Sequence, residues 1–302
     1  MMRHIRKKIR TTLPVLRKAA LTAWLVFLAA VLLFPLAVTL TNSFMTKGEI
    51  ELLYEPLSDT AQQADKEASE RYVSLKPIPE RVSLSQYYEA LVNKPMFLFM
   101  FWNSVLLTLP IVAGQAVVAS LAAYAFSFLR FPLKEGLFFV YIVTMLMPFQ
   151  VTLVPSFIVA DKLGLLNTHA SIVLPGIFGA FGVFLLRQFM VYIPYSYIEA
   201  ARVDGAGHLR IYAGIVLPMC RSGMAALLIL TFVDNWNMVE QPLVFLQDAL
   251  KQPLSVFMSS INEEERGIAF AAASLYMLPM VLLMLHAEND LVEGIQLSGI
   301  KG

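Results

Sequence analysis

Residues 95–129 read PMFLFMFWNSVLLTLPIVAGQAVVASLAAYAFSFL and contain no Asp, Glu, Lys or Arg. A helix needs roughly 20 predominantly apolar residues to cross the hydrocarbon core of a bilayer, so this stretch is long enough to span a membrane. The composition agrees, since 58% of the 302 residues are hydrophobic, only 15% are charged and the mean hydropathy is +0.65. We therefore expect an all-α integral membrane protein.

Five further stretches are apolar enough to span a membrane. With 95–129, the six predicted spans comprise residues 21–40, 136–160, 163–186, 222–239 and 267–287. The first span follows seven basic residues, as in a secretory signal, but its uncharged run exceeds the roughly 7–15-residue apolar core of a signal peptide. We predict that it is a retained anchor.

These spans divide the chain into five parts. The parts are a basic tail (1–19), the first span (20–41), an extracytoplasmic loop (42–97), a core with five spans (98–287) and a C-terminal tail (288–302). Within the loop, residues 61–70 predict a short amphipathic or solvated helix. The loop is expected either to form a solvated cap or to contact a soluble partner.

Basic residues predict the orientation of the spans. With the N-terminus inside, 14 of the 23 Lys and Arg residues face the cytoplasm, and six of the remaining nine lie in the long first loop, where the bias is weak. We predict that both termini are cytoplasmic.

The segment between spans four and five, residues 194–218, predicts a helix-turn-helix on the cytoplasmic face. Ser196 and Glu199 fit the S-x-x-E capping box, so a helix is expected to begin near Ser196, just after Pro194. Gly205 and Gly207 would stop this helix or allow a turn with positive φ. A second short helix would then run to Pro218, where the chain enters the next span.

This segment resembles the EAA loop of the permease subunits of binding-protein-dependent ABC importers. The family pattern is E-A-A, then D-G-A, then I-x-L-P at fixed spacing. The matching residues are Glu199, Ala200, Ala201, Asp204, Gly205, Ala206, Ile215, Leu217 and Pro218. A match of this length and spacing is highly specific.

Other stretches of residues 98–302 are similar to the carbohydrate branch of that family, of which the maltose-type permeases are one example. They are Asn103-Ser104, LAAYAF at 121–126, PFQ at 148–150, LGLLNT at 163–168, FLLRQF at 184–189, NWN at 235–237, Pro242-Leu243 and GIKG at 299–302. The resemblance implies a sugar as substrate; the alternative within the family is a non-sugar solute.

The resemblance also implies partners and roles. An ABC ATPase dimer would bind the loop, a second and different permease subunit would complete the pathway, and an extracytoplasmic solute-binding protein would deliver the substrate at the inner membrane. Glu199 would be the charged contact with the ATPase and Gly205 the turn. The alternative for Glu199 is that it only caps its own helix.

The sequence argues against other classes. It has no G-x-x-x-x-G-K-[S/T] phosphate-binding loop, so ATP is expected to bind only to a partner subunit and no cofactor is expected here. The four His and the single Cys220 fit no metal or catalytic spacing, and nucleic acid is not an implied partner. An ion-coupled transporter would need paired carboxylates or broken helices at mid-membrane in two related halves, and the sequence indicates no such halves or pair. A membrane enzyme would need a nucleophile and its base at a recognisable spacing, which the sequence also does not show.

A polar cluster at the end of span five is the candidate substrate path. Asn235, Trp236 and Asn237 offer amides and an indole, which suit the hydroxyl groups and C–H faces of a sugar. The alternative is that the amides join spans by hydrogen bonds. Asp234 is expected either in an ion pair or interface or along the same path.

Overall fold

The computed structural model describes residues 2–58, 76, 78–259 and 266–299, with side chains for 17–54, 76, 78–259 and 266–286. Every regular element in these ranges is a helix. The predicted helix at 61–70 lies outside the described residues.

The first of two compact units comprises Met1–Asn93 and Asn262–Ser274. It contains α1 (Met2–Ser43), α2 (Lys47–Ser58) and the short α3 (Ser85–Tyr88), which continues into a π-helical turn, Glu89–Asn93. Met45, Ile50 and Leu53 form a small core with Phe270, and the Tyr54 and Phe270 rings lie 5.6 Å apart.

The second unit comprises Lys94–Ile261 and Leu275–Gly302. Its first five helices are α4 (Pro95–Phe128), α5 (Lys134–Met145), α6 (Phe149–Lys162), α7 (Ala170–Ile177) and α8 (Ala180–Met190).

The next helices form the predicted helix-turn-helix and the span that follows it. They are α9 (Tyr195–Val203), α10 (His208–Ile211) and α11 (Leu217–Met219), with a π-helical segment, Tyr212–Val216, joining α10 to α11, and then α12 (Arg221–Trp236).

Three helices and one 3₁₀ turn complete the described part of the chain. They are α13 (Glu240–Phe245), the turn Ala249–Lys251, α14 (Leu254–Ser259) and α15 (Arg266–Gly299). Helix α15 continues beyond residue 287, where the last predicted span ends.

In the described ranges, the structure has four helices that are long and apolar enough to span a membrane, and six such spans if each of two bent helix pairs is counted as one. Single spans are Arg17–Ser43, Pro95–Phe128, Ala170–Met190 and Arg266–His286. Span three is the pair α5 and α6, whose axes differ by 102°. Span five is α12, Arg221–Trp236, and the second helix of the loop, His208–Met219, meets it at 77°. The sequence did not indicate the break in span three.

Helix α4 is the centre of the second unit, and glycine lets its neighbours approach closely. A Cβ added to Gly114 would lie 2.6 Å from the Ile177 side chain, so only glycine fits this contact with α7. At the junction of α7 and α8 within the fourth span, the Gln115 amide donates to the carbonyl of Gly179 at 3.4 Å.

Candidate coupling loop and substrate path

Helix α9 starts one residue earlier than the capping box predicts. Pro194 is the N-cap residue with φ −59° and ψ 129°, and no side chain caps the helix. Ser196 is the second helical residue, so its hydroxyl is not at the capping position. The capping-box prediction is wrong, because proline with its fixed φ already sets the entry into the helix. Glu199 therefore does not cap its own helix.

The turn after α9 is a Schellman motif centred on Gly205. Gly205 has φ +78°, its N–H donates to the Arg202 carbonyl at 3.0 Å, and the N–H of Ala206 donates to the Ala201 carbonyl at 2.9 Å. A Cβ on Gly205 would meet no atom within 4 Å, so the backbone angle alone requires glycine. Gly207 has φ −74°, and the positive φ considered for it is not found.

One face of the helix-turn-helix is buried against the spans. Ile198 and Ala201 of α9, with Ile211 and Val216 of the second helix, belong to a core cluster that includes Leu186 of α8 and residues of α4. This face fixes the position of α9 on the ends of spans two and four.

The opposite face is exposed and carries most of the residues that the sequence singled out. Glu199, Ala200, Asp204, Gly205 and Pro218 are exposed, whereas Ala206 and Leu217 are half-buried and Ala201 is buried. Val203 adds an apolar side chain that is 87% exposed. Within the described part of the chain, the Glu199 carboxylate forms no hydrogen bond or ion pair, so it is available to a partner.

Two hydroxyl contacts connect this loop to span two, and the sequence did not predict them. The Tyr124 hydroxyl lies 3.2 Å from Nδ1 of His208, and Ser120 Oγ lies 2.7 Å from the Tyr212 hydroxyl. The Tyr124 and Tyr212 rings also meet edge to face, with centroids 5.5 Å apart. These contacts join the second helix of the loop to α4 through side chains on both.

Trp236 is a packing residue rather than a lining residue. It is 1% exposed, its ring stacks on Phe232 with centroids 5.3 Å apart, and its Nε1 donates to the carbonyl of Tyr276 at 3.1 Å. Its inclusion in the substrate path therefore needs correction, because the aromatic cluster leaves no face of the indole for a solute.

The side-chain amides of Asn235 and Asn237, on either side of Trp236, form hydrogen bonds with other residues of this chain. Asn235 Nδ2 donates to the Thr231 carbonyl at 2.8 Å, and Asn237 accepts from the Tyr276 hydroxyl at 2.8 Å through Oδ1. The Asn237 bond joins the end of α12 to α15, as expected if the amides join spans by hydrogen bonds. Asp234 is exposed and has no ion-pair partner among the described residues.

In the part of the chain that the structure describes, no group of three or more His, Cys, Asp or Glu residues is placed to hold a metal ion. Cys220 is buried.

The geometry defines a helical membrane protein with a loop between two spans. One face of the loop packs against the spans, and the other face is exposed. Residues 93–288 match the family described as binding-protein-dependent transport system inner membrane component. Because this match covers more than half of the chain, the protein belongs to that family.

Curated relatives agree with this assignment. The chain is 32% identical over 209 residues to the sn-glycerol-3-phosphate transport system permease protein UgpE of Salmonella typhi, covering 68% of this chain and 74% of the relative. The protein of the same name from Yersinia enterocolitica is 32% identical over 208 residues, covering 67% and 74%.

A solved structure has the same fold. It is described as a bacterial ABC transporter involved in the import of the acidic polysaccharide alginate, and it matches with a TM-score of 0.73 over 90% of this chain and 95% of that chain. At 22% identity this likeness supports the fold alone.

The chain is therefore a non-catalytic permease subunit of an ABC importer in the inner membrane. ATP hydrolysis belongs to a separate subunit, and the family works with an ATPase and a solute-binding protein.

Proposed function

We propose that this permease subunit moves a sugar across the membrane and that the loop of residues 194–218 couples this movement to ATP hydrolysis in the partner ATPase. The observation that carries the proposal is the division of the loop into a buried and an exposed face. Ile198 fixes the loop on the spans, while Glu199 and Val203 face outward without a partner in the described part of the chain.

The exposed face has the composition of a docking surface. An unpaired carboxylate next to exposed apolar side chains offers both charge complementarity and apolar area to a groove on another subunit. Glu199 is proposed as the charged contact and Gly205 as the turn that sets the angle between the two helices of the loop. ATP is proposed to bind only to the partner.

The sugar assignment rests on the relatives and on the family resemblance of the spans. Among the relatives, one name refers to a phosphorylated polyol and the description of the solved structure to an acidic polysaccharide. A second permease subunit, different from this one, is proposed to complete the pathway.

A charge reversal tests the docking role. We expect Glu199→Lys to prevent a tagged permease from retaining the ATPase during purification and to abolish ATP-driven uptake in reconstituted vesicles. Asp161→Lys is the matched control, because Asp161 is an exposed carboxylate in α6, away from the loop. Normal ATPase retention and uptake by Glu199→Lys would refute the docking role.

The proposed orientation places both termini and the loop in the cytoplasm. Leu52 in α2 and Leu209 in α10 are similarly exposed, at 75% and 77%. In a Cys220→Ala background that still transports, Leu52→Cys should react with an impermeant thiol reagent in intact cells, and Leu209→Cys only in inverted vesicles. The opposite pattern would reverse the orientation.

A further inference from the structure

Span three is broken inside the second unit. Helices α5 and α6 meet at 102°, and the three residues between them, Leu146, Met147 and Pro148, are all exposed in this chain. Non-helical backbone at membrane depth is tolerated only where it is buried in protein or lines a water-filled cavity. This chain does not bury the break. The surroundings of the break therefore depend on how deep it lies in the membrane and on which groups lie beside it.

Two helix lengths place the break within the membrane. Helix α5 starts at the face that carries the coupling loop, because Glu135 pairs with Arg187 near the end of α8 at 3.3 Å. Its 12 residues rise about 18 Å. Helix α12 starts directly after the loop, and its 16 residues rise about 24 Å. Both values are smaller than the roughly 30 Å thickness of the hydrocarbon core.

The packing of α4 gives a third estimate of the depth. Ala160 of α6 and Phe245 of α13 pack in one cluster with Leu107 and Ile111. Ile111 lies 17 residues before the end of α4 that packs against the coupling loop, which is a rise of about 26 Å. The C-terminal ends of α6 and α13 therefore lie toward the far side of the roughly 30 Å hydrocarbon core, away from the loop.

A polar pair joins the break to the end of span five at this depth. Nε2 of Gln150 donates to both carboxylate oxygens of Glu240, at 3.3 and 3.1 Å. Both residues are exposed, and Glu240 has no ion-pair partner among the described residues. A carboxylate at membrane depth needs water or a polar partner, because contact with lipid would leave it unsolvated.

We propose that the break of span three and the Gln150–Glu240 pair line the water-filled solute route, where they bind the hydroxyl groups of an uncharged carbohydrate. An amide and a carboxylate together accept and donate hydrogen bonds to hydroxyl groups, whereas the negative charge repels anionic solutes. The inference rests on the proposed function, since it assigns the substrate class of the same transport route. It predicts a preference opposite to that in the names of the anion-transporting relatives.

Thiol labelling of the assembled transporter tests this inference without a known substrate. In a Cys220→Ala background that still transports, Gln150→Cys is treated with a cationic and an anionic methanethiosulfonate reagent, with and without Glu240→Gln. At roughly 6 Å in water, one negative charge favours a monovalent cation over an anion about tenfold. We expect the cation-to-anion rate ratio to fall about tenfold when Glu240 is neutralised.

Two control variants calibrate the labelling. Leu32→Cys, in the first span, is 77% exposed in the chain and should not react, because lipid covers it. Asp161→Asn removes an exposed carboxylate from the other end of α6 and should leave the rate ratio at Gln150→Cys unchanged.

Either of two results would overturn the inference. Absence of labelling at Gln150→Cys would mean that lipid or a partner subunit covers the break, and an equal rate ratio with and without Glu240 would remove the charge selectivity. Neither result would affect the coupling role of Glu199, which is measured by ATPase retention, so the two proposals fail separately.

Discussion

The coupling loop and the distal end of span five contrast in how they use the residues that the sequence singled out. In the loop, Glu199 and Gly205 lie on one exposed surface above a buried scaffold. At the end of span five, Trp236 is buried in an aromatic cluster and Asn235 bonds to its own helix. A motif defined by backbone geometry predicts the same local structure wherever it occurs. The role of a polar or aromatic side chain depends instead on the helices packed around it.

The largest effect on uptake is expected at Gly205. Gly205→Val should reduce uptake at least about tenfold while the permease stays in the membrane, because the left-handed conformation costs a residue with a Cβ roughly 1–2 kcal/mol, and a β-branched one more. Uptake by vesicles that contain equal amounts of permease measures the effect.

Two neighbouring substitutions show whether the backbone angle is the cause. Gly205→Asn should retain more uptake than Gly205→Val, because Asn tolerates positive φ. Gly207→Ala should be close to wild type, since Gly207 has ordinary φ and an added Cβ meets no atom within 4 Å. Equal loss in all three variants would contradict the Schellman explanation.

A large loss of stability is expected at Trp236. Trp236→Ala removes the ring that stacks on Phe232 and Tyr276, and truncating a buried aromatic residue typically costs about 3–5 kcal/mol. We expect less assembled complex and a lower unfolding temperature in detergent. Trp102→Ala is the control, because Trp102 is 60% exposed. An altered substrate preference with unchanged stability would restore Trp236 to the substrate path.

A smaller effect is expected where span two meets the loop. Tyr124→Phe removes only the hydroxyl that contacts His208, and a hydrogen bond contributes about 0.5–1.5 kcal/mol. Uptake per ATP hydrolysed should fall severalfold with normal assembly. Tyr141→Phe makes the same change on a ring that packs against Phe126, and its hydroxyl has no partner in the described part of the chain. Equal coupling ratios in the two variants would show that the contact transmits no movement.

The smallest effect is expected for the amides. Asn235 donates to its own helix, and membrane side-chain hydrogen bonds average about 0.6 kcal/mol, so Asn235→Ala should change the rate of uptake by no more than about threefold. Initial rates for several labelled sugars check this. A selective loss for one sugar would place Asn235 on the route after all.

Much of this fold could be predicted from the sequence, because span length and charge are physical requirements of the bilayer. The loop was predictable for a related reason, since only glycine readily adopts the φ of Gly205. The bend in span three was not, because Pro148 carries no pattern that distinguishes a bent span from a straight one. The Gln150–Glu240 pair joins residues 90 positions apart, and only the packing of α6 and α13 brings them together.

Photocrosslinking from Val203 tests the central claim most directly. With a photoreactive amino acid in place of Val203, which is 87% exposed on the outer face of α9, the assembled transporter should give a covalent product of the permease with the ATPase subunit. The same amino acid at Leu52, which is 75% exposed in α2, should give none. A product from Leu52, or none from Val203 in a complex that transports, would contradict the assignment of this loop as the site where ATP hydrolysis is coupled to transport.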